Sequence, residues 1–276
     1  GGYSSEYEIS LKSAETIVLA LERAGYSAFL VIITRNRWYM VDGGRDCDID
    51  RADFSADVRG THLTFDAAYI TIHGTPGEDG ILQAYFDMIE LPYAGCDHLS
   101  STVTFDKWAC NAMLKEMGFR TAKSVLLRQG ETMDTSYIVD KLGLPCFVKP
   151  NDGGSSFGIT KVKETDALQS AVSLPFNEGD QVLIEGLMEG MEITCGLYKD
   201  GTEIIPLPIT ELVPDGEFFD YAAKYEGKSQ EITPARISDA DRDTVWSTCV
   251  AIYRKMGLKG LVRIDAFLKD GEVSII

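Results

Sequence analysis

Residues Ala67–Ile72 form an apolar run that ends directly in the loop His73-Gly74-Thr75-Pro76-Gly77-Glu78-Asp79-Gly80, and Leu82, Tyr85, Phe86 and Ile89 then recur at helical spacing. A strand with no polar face belongs in a sheet covered on both sides, and the succession strand, loop, helix is the signature of an open α/β domain. The same components stand earlier in the chain. Leu11, Ala14, Ile17, Val18 and Leu21 predict a helix, with Ser5 and Glu8 as a capping box at its start and Gly25 as its stop. Ala28–Ile33 predicts a strand, and the stretch from there to Gly60 reads as charged and irregular. Ligands of open α/β sheets gather at the carboxyl ends of the strands, where the His73 loop would lie.

After Gly95 the rhythm changes. A helix is expected from about Phe105 to Met117, ending at Gly118, and Cys146–Pro150 reads as a strand running into Asn151-Asp152-Gly153-Gly154-Ser155-Ser156-Phe157-Gly158. A short strand (Ile159–Val162), a helix and the strand Val182–Glu185 follow. From there the pattern is mostly strand: Glu192–Tyr198, Thr202–Pro208 and Gly260–Leu268. The polar stretch from Glu211 to Ile237 has no clear period, and loops of that length in compact domains act as lids or binding loops.

At 276 residues and 30.4 kDa the chain exceeds what one core organises, so two or three compact units are expected. The formal charge of −17 argues against a nucleic-acid partner, although a local lysine cluster can still hold a small anion. Six cysteines without a Cys-x-x-Cys pair, several in apolar surroundings such as Leu144-Pro145-Cys146-Phe147-Val148, read as reduced residues of a cytoplasmic protein and not as a zinc cluster. The apolar runs fall far short of the ~20 residues of a membrane span, so no membrane partner is expected.

Three glycines and two serines between Gly153 and Gly158 offer backbone N–H groups for close approach to phosphate, with Lys149 just before them. No Gly-Lys-Ser/Thr follows, so this is not a Walker loop, and taken alone the residues read better as a flexible hairpin. On the strand Gly260–Leu268, alternation puts Val262, Ile264, Ala266 and Leu268 on one face and Arg263 and Asp265 on the other. That pair reads either as a surface ion pair or as an anion-binding arginine beside a magnesium-binding carboxylate. Lys269-Asp270-Gly271-Glu272 predicts a hairpin turned at Asp-Gly. Other residues stay ambiguous on their own. His73 serves as a structural imidazole, Glu6 as a first-turn acid, Lys224 and Tyr225 as solvated loop residues, and Met188 and Met191 as packing.

In order along the chain, Gly1-Gly2-Tyr3-Ser4-Ser5-Glu6-Tyr7-Glu8-Ile9-Ser10, the His73–Gly80 loop with Leu82-Gln83, Lys149-Pro150 with Gly154–Gly158, Val182-Leu183-Ile184-Glu185, Met191-Glu192-Ile193-Thr194, Tyr221-Ala222-Ala223-Lys224-Tyr225 and Arg263-Ile264-Asp265 resemble the D-alanine–D-alanine ligases of the ATP-grasp superfamily. The resemblance runs nearly end to end. It implies an ATP-grasp ligase of α/β and α+β class, with an N-terminal open parallel α/β domain followed by a two-lobed ATP-grasp region. The units would be 1–95 (N-terminal α/β substrate domain), 96–184 (central lobe with the glycine loop) and 185–276 (C-terminal lobe with the lid loop).

What the resemblance implies for chemistry follows from the weakness of a carboxylate as an electrophile. The family transfers the ATP γ-phosphoryl group to one D-alanine, giving an acyl phosphate that the amine of a second D-alanine attacks. Lys107 and Lys149 would hold the α/β-phosphates and Lys224 the γ-phosphate, with the backbone of Ser155 and Ser156 closing over them. Glu185 and Met188 would frame the adenine, and Glu192 the ribose hydroxyls. Asp265 would bind Mg2+, or Mn2+ in its place, and Arg263 would stabilise the tetrahedral oxyanion. Glu6 would take the ammonium of the first D-alanine with His73 near its carboxylate, and Glu6, Ser155 and Tyr225 would form a linking trio. Homodimerisation and a cytoplasmic location are further implications.

Two departures accompany the resemblance. The strand ahead of Gly1 and the family's Glu-x-Asn metal ligands beyond Ile276 are missing, which predicts a longer expressed protein with a mass well above 30.4 kDa. Gly186 stands where some relatives carry lysine. The competing readings are a D-alanine–D-lactate ligase, against which Tyr225 argues, and a catalytically silent ATP-binding module. An NAD-dependent oxidoreductase lacks its Gly-x-Gly-x-x-Gly fingerprint here.

Overall fold

The computed structural model describes residues 2–153, 158–177, 179–214 and 229–276, and the chain divides into two compact units, Gly1–Thr102 and Val103–Ile276. In the first unit the helix Tyr7–Arg23 starts one residue later than the capping-box expectation with Ser5 at the N-cap. Glu6 is the N-cap and makes no side-chain cap bond, while its N–H donates to Ser4 Oγ at 3.2 Å. The helix end is as expected: with Gly25 at φ +88, its N–H reaches Glu22 O and the Tyr26 N–H reaches Leu21 O, both at 3.0 Å.

The stretch read as irregular is β-structure. Val31–Ile33, the only paired part of the expected strand Ala28–Ile33, lies antiparallel to Trp38–Asp42, which pairs with Arg45–Asp48; Ala56–Val58 pairs with Thr61–Leu63. Charged residues on the exposed faces hide the alternation in the sequence. Ala68–Tyr69 pairs with Tyr93–Ala94 and is the one parallel pair of this unit among the described residues. The core of Ile33, Met40, Phe54, Ile72, Leu82 and Phe86 is closed by edge-on aromatic contacts, Trp38 on Tyr85 at 5.1 Å and Phe54 on Phe86 at 5.0 Å.

The second unit holds two largely antiparallel sheets. The first, in spatial order, is Thr160–Val162, Cys146–Pro150, Gln181–Gly186 and Ser124–Arg128. Val148, Val182 and Ile184 are completely buried in it, each contributing roughly 1.5–3 kcal/mol. Against its two central strands stands the helix Lys107–Glu116, which meets Asn151 just after Cys146–Pro150 and Glu185 of Gln181–Gly186; it is capped by Asp106, whose side chain accepts the Ala109 N–H at 2.8 Å. One helix from Phe105 was expected; the extended Asp106 (ψ 103) separates it from a preceding helix, His98–Phe105.

The second sheet runs Ser229–Ile232, Thr210–Pro214, Met191–Asp200, Val262–Lys269, Glu272–Ile275 and Arg120–Thr121, with Glu203–Pro206 paired to Met191–Asp200. The helix Asp239–Lys255 packs on it through Val245, Cys249, Ile252 and Tyr253. The expected turn at Asp270-Gly271 forms, both residues at positive φ (51 and 77). The stretch read as a loop from Glu211 to Ile237 is a hairpin at its base: Glu211 lies opposite Ile232 and is held by Arg236 through Nη2 at 2.6 Å and Nε at 2.8 Å. Lys224 and Tyr225 lie outside the described residues, as do Ser155 and Ser156. All six cysteines are free thiols, and no helix among the described residues is long and apolar enough to cross a membrane.

Candidate active site

In the first unit, helix spacing puts Glu6, Ser10 and Ser13 on one face of the Tyr7–Arg23 helix, against the His73 loop. Ser10 Oγ donates to Glu6 O at 3.1 Å and accepts the His73 N–H at 3.0 Å, and Ser4 Oγ donates to His73 O at 2.7 Å. Ser13 Oγ lies 3.2 Å from His73 Nε2, and Glu6 Oε1 lies 3.8 Å from Nδ1. The imidazole is therefore held through Nε2 and through its backbone, with the buried Glu6 carboxylate near Nδ1. Gly77 is imposed by packing: a Cβ there would stand 2.5 Å from Ile72 O and Cβ.

The second unit brings Lys107 and Lys149 together around Cys146–Pro150. Lys107 Nζ donates to the carbonyls of Pro150 (3.2 Å), Asn151 (3.2 Å) and Gly153 (2.6 Å). Its own N–H and that of Trp108 reach Asn151 O and Oδ1 at 3.1 and 2.9 Å, so the helix N-terminus is locked onto the residue that opens the glycine loop. Desolvation, with the charge of Lys149 adding to it, pushes the Lys107 ammonium down to about 7. Lys149 is buried and ion-paired with the equally buried Glu185, whose other oxygen accepts from Asn111 Nδ2 at 2.8 Å.

On the second sheet Arg263 and Asp265 share the outward face, as alternation predicted, and form a two-point ion pair through Nε and Nη2, both at 2.9 Å. Asp265 lies opposite Thr194, whose buried hydroxyl has no hydrogen-bond partner among the described residues. Met188 and Glu192 are half-buried where the two sheets join. Thus Glu6 is brought to His73, Lys107 and Lys149 to Glu185, and Arg263 to Asp265. Sequence reading missed Asn111, Asn151, Ser10 and Ser13. Only spacing could have flagged them: Asn111 is one helical turn after Lys107, and Ser10 and Ser13 follow Glu6 on one face.

Gly186, the departure noted above, has a physical reason, since a Cβ would stand 2.9 Å from the backbone oxygen of Leu142.

Family models described as the N-terminus and the C-terminus of D-ala D-ala ligase match residues 1–96 and 113–276. The chain belongs to the D-alanine–D-alanine ligase family. It is 48% identical over 273 residues to the D-alanine–D-alanine ligase of Phocaeicola vulgatus, covering 99% of this chain and 84% of that one. With the ligase of Azobacteroides pseudotrichonymphae the identity is 50%, covering 96% and 83%. Among solved structures, the VanG D-Ala:D-Ser ligase from Enterococcus faecalis superposes with a TM-score of 0.85 at 30% identity, and D-alanyl-alanine synthetase A from Vibrio cholerae with 0.86 at 25%; each covers 100% of this chain, and the chain spans 86% and 85% of them. The fold is that of these ligases.

Proposed function

We propose that this chain joins two D-alanines to D-alanyl-D-alanine with ATP, releasing ADP and phosphate, as a step of peptidoglycan precursor synthesis. The observation that carries the reading is the pair of closely placed lysines, Lys107 and Lys149, at the start of the glycine-rich loop of a chain in this family. Phosphoryl transfer is mostly positioning and neutralisation of charge. Lys107 and Lys149 supply that charge to the α/β-phosphates, and Lys224 supplies it to the γ-phosphate, with Ser155 and Ser156 lining the loop. Glu185 and Met188 frame the adenine and Glu192 takes the ribose. Glu6 receives the first D-alanine's ammonium, with His73 at its carboxylate, and Glu6, Ser155 and Tyr225 link substrate, glycine loop and lid.

Once the carboxylate is an acyl phosphate, the second amine attacks and Arg263 stabilises the oxyanion that develops on the carbonyl. Asp265 holds this guanidinium at two points, which fixes its plane. Asp265 also offers the hard oxygen donors that Mg2+ or Mn2+ requires, beside the orphaned Thr194 hydroxyl, so the residues fit such an ion. No cluster of three or more His, Cys, Asp or Glu able to hold a metal exists among the described residues, and of these Asp265 is the one we assign to the ion, with phosphate oxygens completing its shell. Bound there, it would neutralise phosphate charge. We further propose a homodimer in the cytoplasm, and a subdivision of the second unit into two lobes. We place their boundary at 184/185, close to where the strand Gln181–Gly186 of the first sheet ends.

The test is ADP formation that depends on D-alanine, with the product weighed by mass spectrometry when D-alanine, D-lactate or D-serine is offered as second substrate. Arg263→Ala should abolish dipeptide synthesis while leaving ATP affinity nearly intact. Turnover close to wild type in that variant would remove Arg263 from its role, and ATP binding without any D-alanine-dependent ADP would overturn the ligase reading.

A further inference from the structure

Asn111 lies on the helix Lys107–Glu116, one turn after Lys107, and is 5% exposed. Its Nδ2 donates to Glu185 Oε1 at 2.8 Å, while Glu185 Oε2 is taken by the ammonium of Lys149. Glu185 and Lys149 are 5% and 9% exposed and sit on neighbouring antiparallel strands, Glu185 opposite Phe147 and Lys149 opposite Leu183. A buried carboxylate with one oxygen left unsatisfied rotates or draws the nearest cation onto both oxygens. Here a neutral amide fills that oxygen, so the carboxylate plane is fixed and Lys149 is held at the other one. A cation in place of Asn111 would have competed with Lys149 for Glu185; an apolar side chain would have left Oε1 bare.

We infer that Asn111 is the positioning residue of the nucleotide site: by clamping Glu185 it sets where Lys149 presents its ammonium. This rests on the assignment of Lys149 to the ATP phosphates. The same helix face therefore prepares both lysines, Lys107 by anchoring it on the carbonyls of Pro150, Asn151 and Gly153, and Lys149 through Asn111 and Glu185.

The experiment measures the affinity of the full chain for ATP directly, without D-alanine, together with the KM for each substrate and the thermal unfolding midpoint. Asn111→Asp keeps the shape but sets a second carboxylate against Glu185, and Asn111→Leu removes the donor. Each should weaken ATP by about tenfold or more, the scale of a lost bond to a charged group, while the KM for D-alanine stays put. Glu185→Gln should also weaken ATP. In the double variant Asn111→Asp with Glu185→Gln, the amide and carboxylate have exchanged places and the hydrogen bond is remade, so affinity should rise above that of Asn111→Asp alone while the loss from Glu185's own contact with the nucleotide persists. Wild-type ATP affinity in both single variants would overturn the inference. So would a double variant whose loss is the product of the two single losses, or a KM for D-alanine that rises in step with that for ATP. Because ATP affinity is read without the second substrate, failure of the ligase reading would appear separately, as wild-type protein that binds ATP and forms no ADP when D-alanine is added.

Discussion

An ammonium that leaves water for a cluster of carbonyls keeps its proton only so far as those carbonyls offset the lost hydration. Lys107 makes three such bonds, yet burial, with Lys149's charge adding, leaves it titrating at about 7 against 10.5 in the unfolded chain. Between those values the unfolded state binds the extra proton, so this group's contribution to stability rises with pH across that window; below it, the cost of burying the charge is felt in full. Nucleotide binding has the opposite sign, because phosphate favours the charged form. ATP affinity should fall as pH rises through about 7, whereas Lys107→Arg, charged throughout, should show a flatter profile. Binding titrations at about pH 6.5 and about pH 8.5 decide this through the ratio of the two proteins, which cancels the titration of ATP itself. Parallel profiles would mean that Lys107 keeps its proton throughout.

At the scale of elements, the strand Gln181–Gly186 supplies Glu185 on one side and ends at Gly186, tight against the helix Thr135–Leu142. The Gly186 N–H donates to Lys123 O at 3.0 Å, so the backbone is tied down and cannot retreat from an added side chain. Gly186→Ala should cost about 1–3 kcal/mol, the usual penalty of overpacking, read as a lower denaturant midpoint with an unchanged slope. A variant as stable as the wild type would show that Leu142 yields easily. The strands that were legible in the sequence, Cys146–Pro150 and Val262–Lys269, are those whose buried faces are apolar without interruption. Those that were not, Trp38–Asp42 and Arg45–Asp48, carry charged residues, with Arg45, Asp46 and Asp48 exposed and Asp42 half-buried. Their pairing is made by the Gly43-Gly44 turn, not by a hydrophobic period.

Over the whole molecule, the two units carry separate parts of the proposed chemistry: Glu6 and His73 in the first, the lysines, Glu185, Arg263 and Asp265 in the second. Hydrogen exchange should reflect that division. ATP alone should slow amides most at the start of the Lys107–Glu116 helix and in Gln181–Gly186, and adding D-alanine should extend protection to the Tyr7–Arg23 helix and the His73 loop. Protection of the first unit by ATP alone would contradict it. The sequence by itself singled out the residues proposed to carry the chemistry and their order, because lysines, glycine-rich loops and an Arg-x-Asp on an apolar strand are local patterns that the chain carries wherever it folds. It also determined most of the second unit's strands, through alternation. Only the tertiary structure decided the partners: Asn111 on Glu185, Ser13 on His73, Arg236 on Glu211. Those contacts join residues far apart in the chain, and a buried polar group chooses its partner by which element packs against it, a choice that no spacing along the chain records.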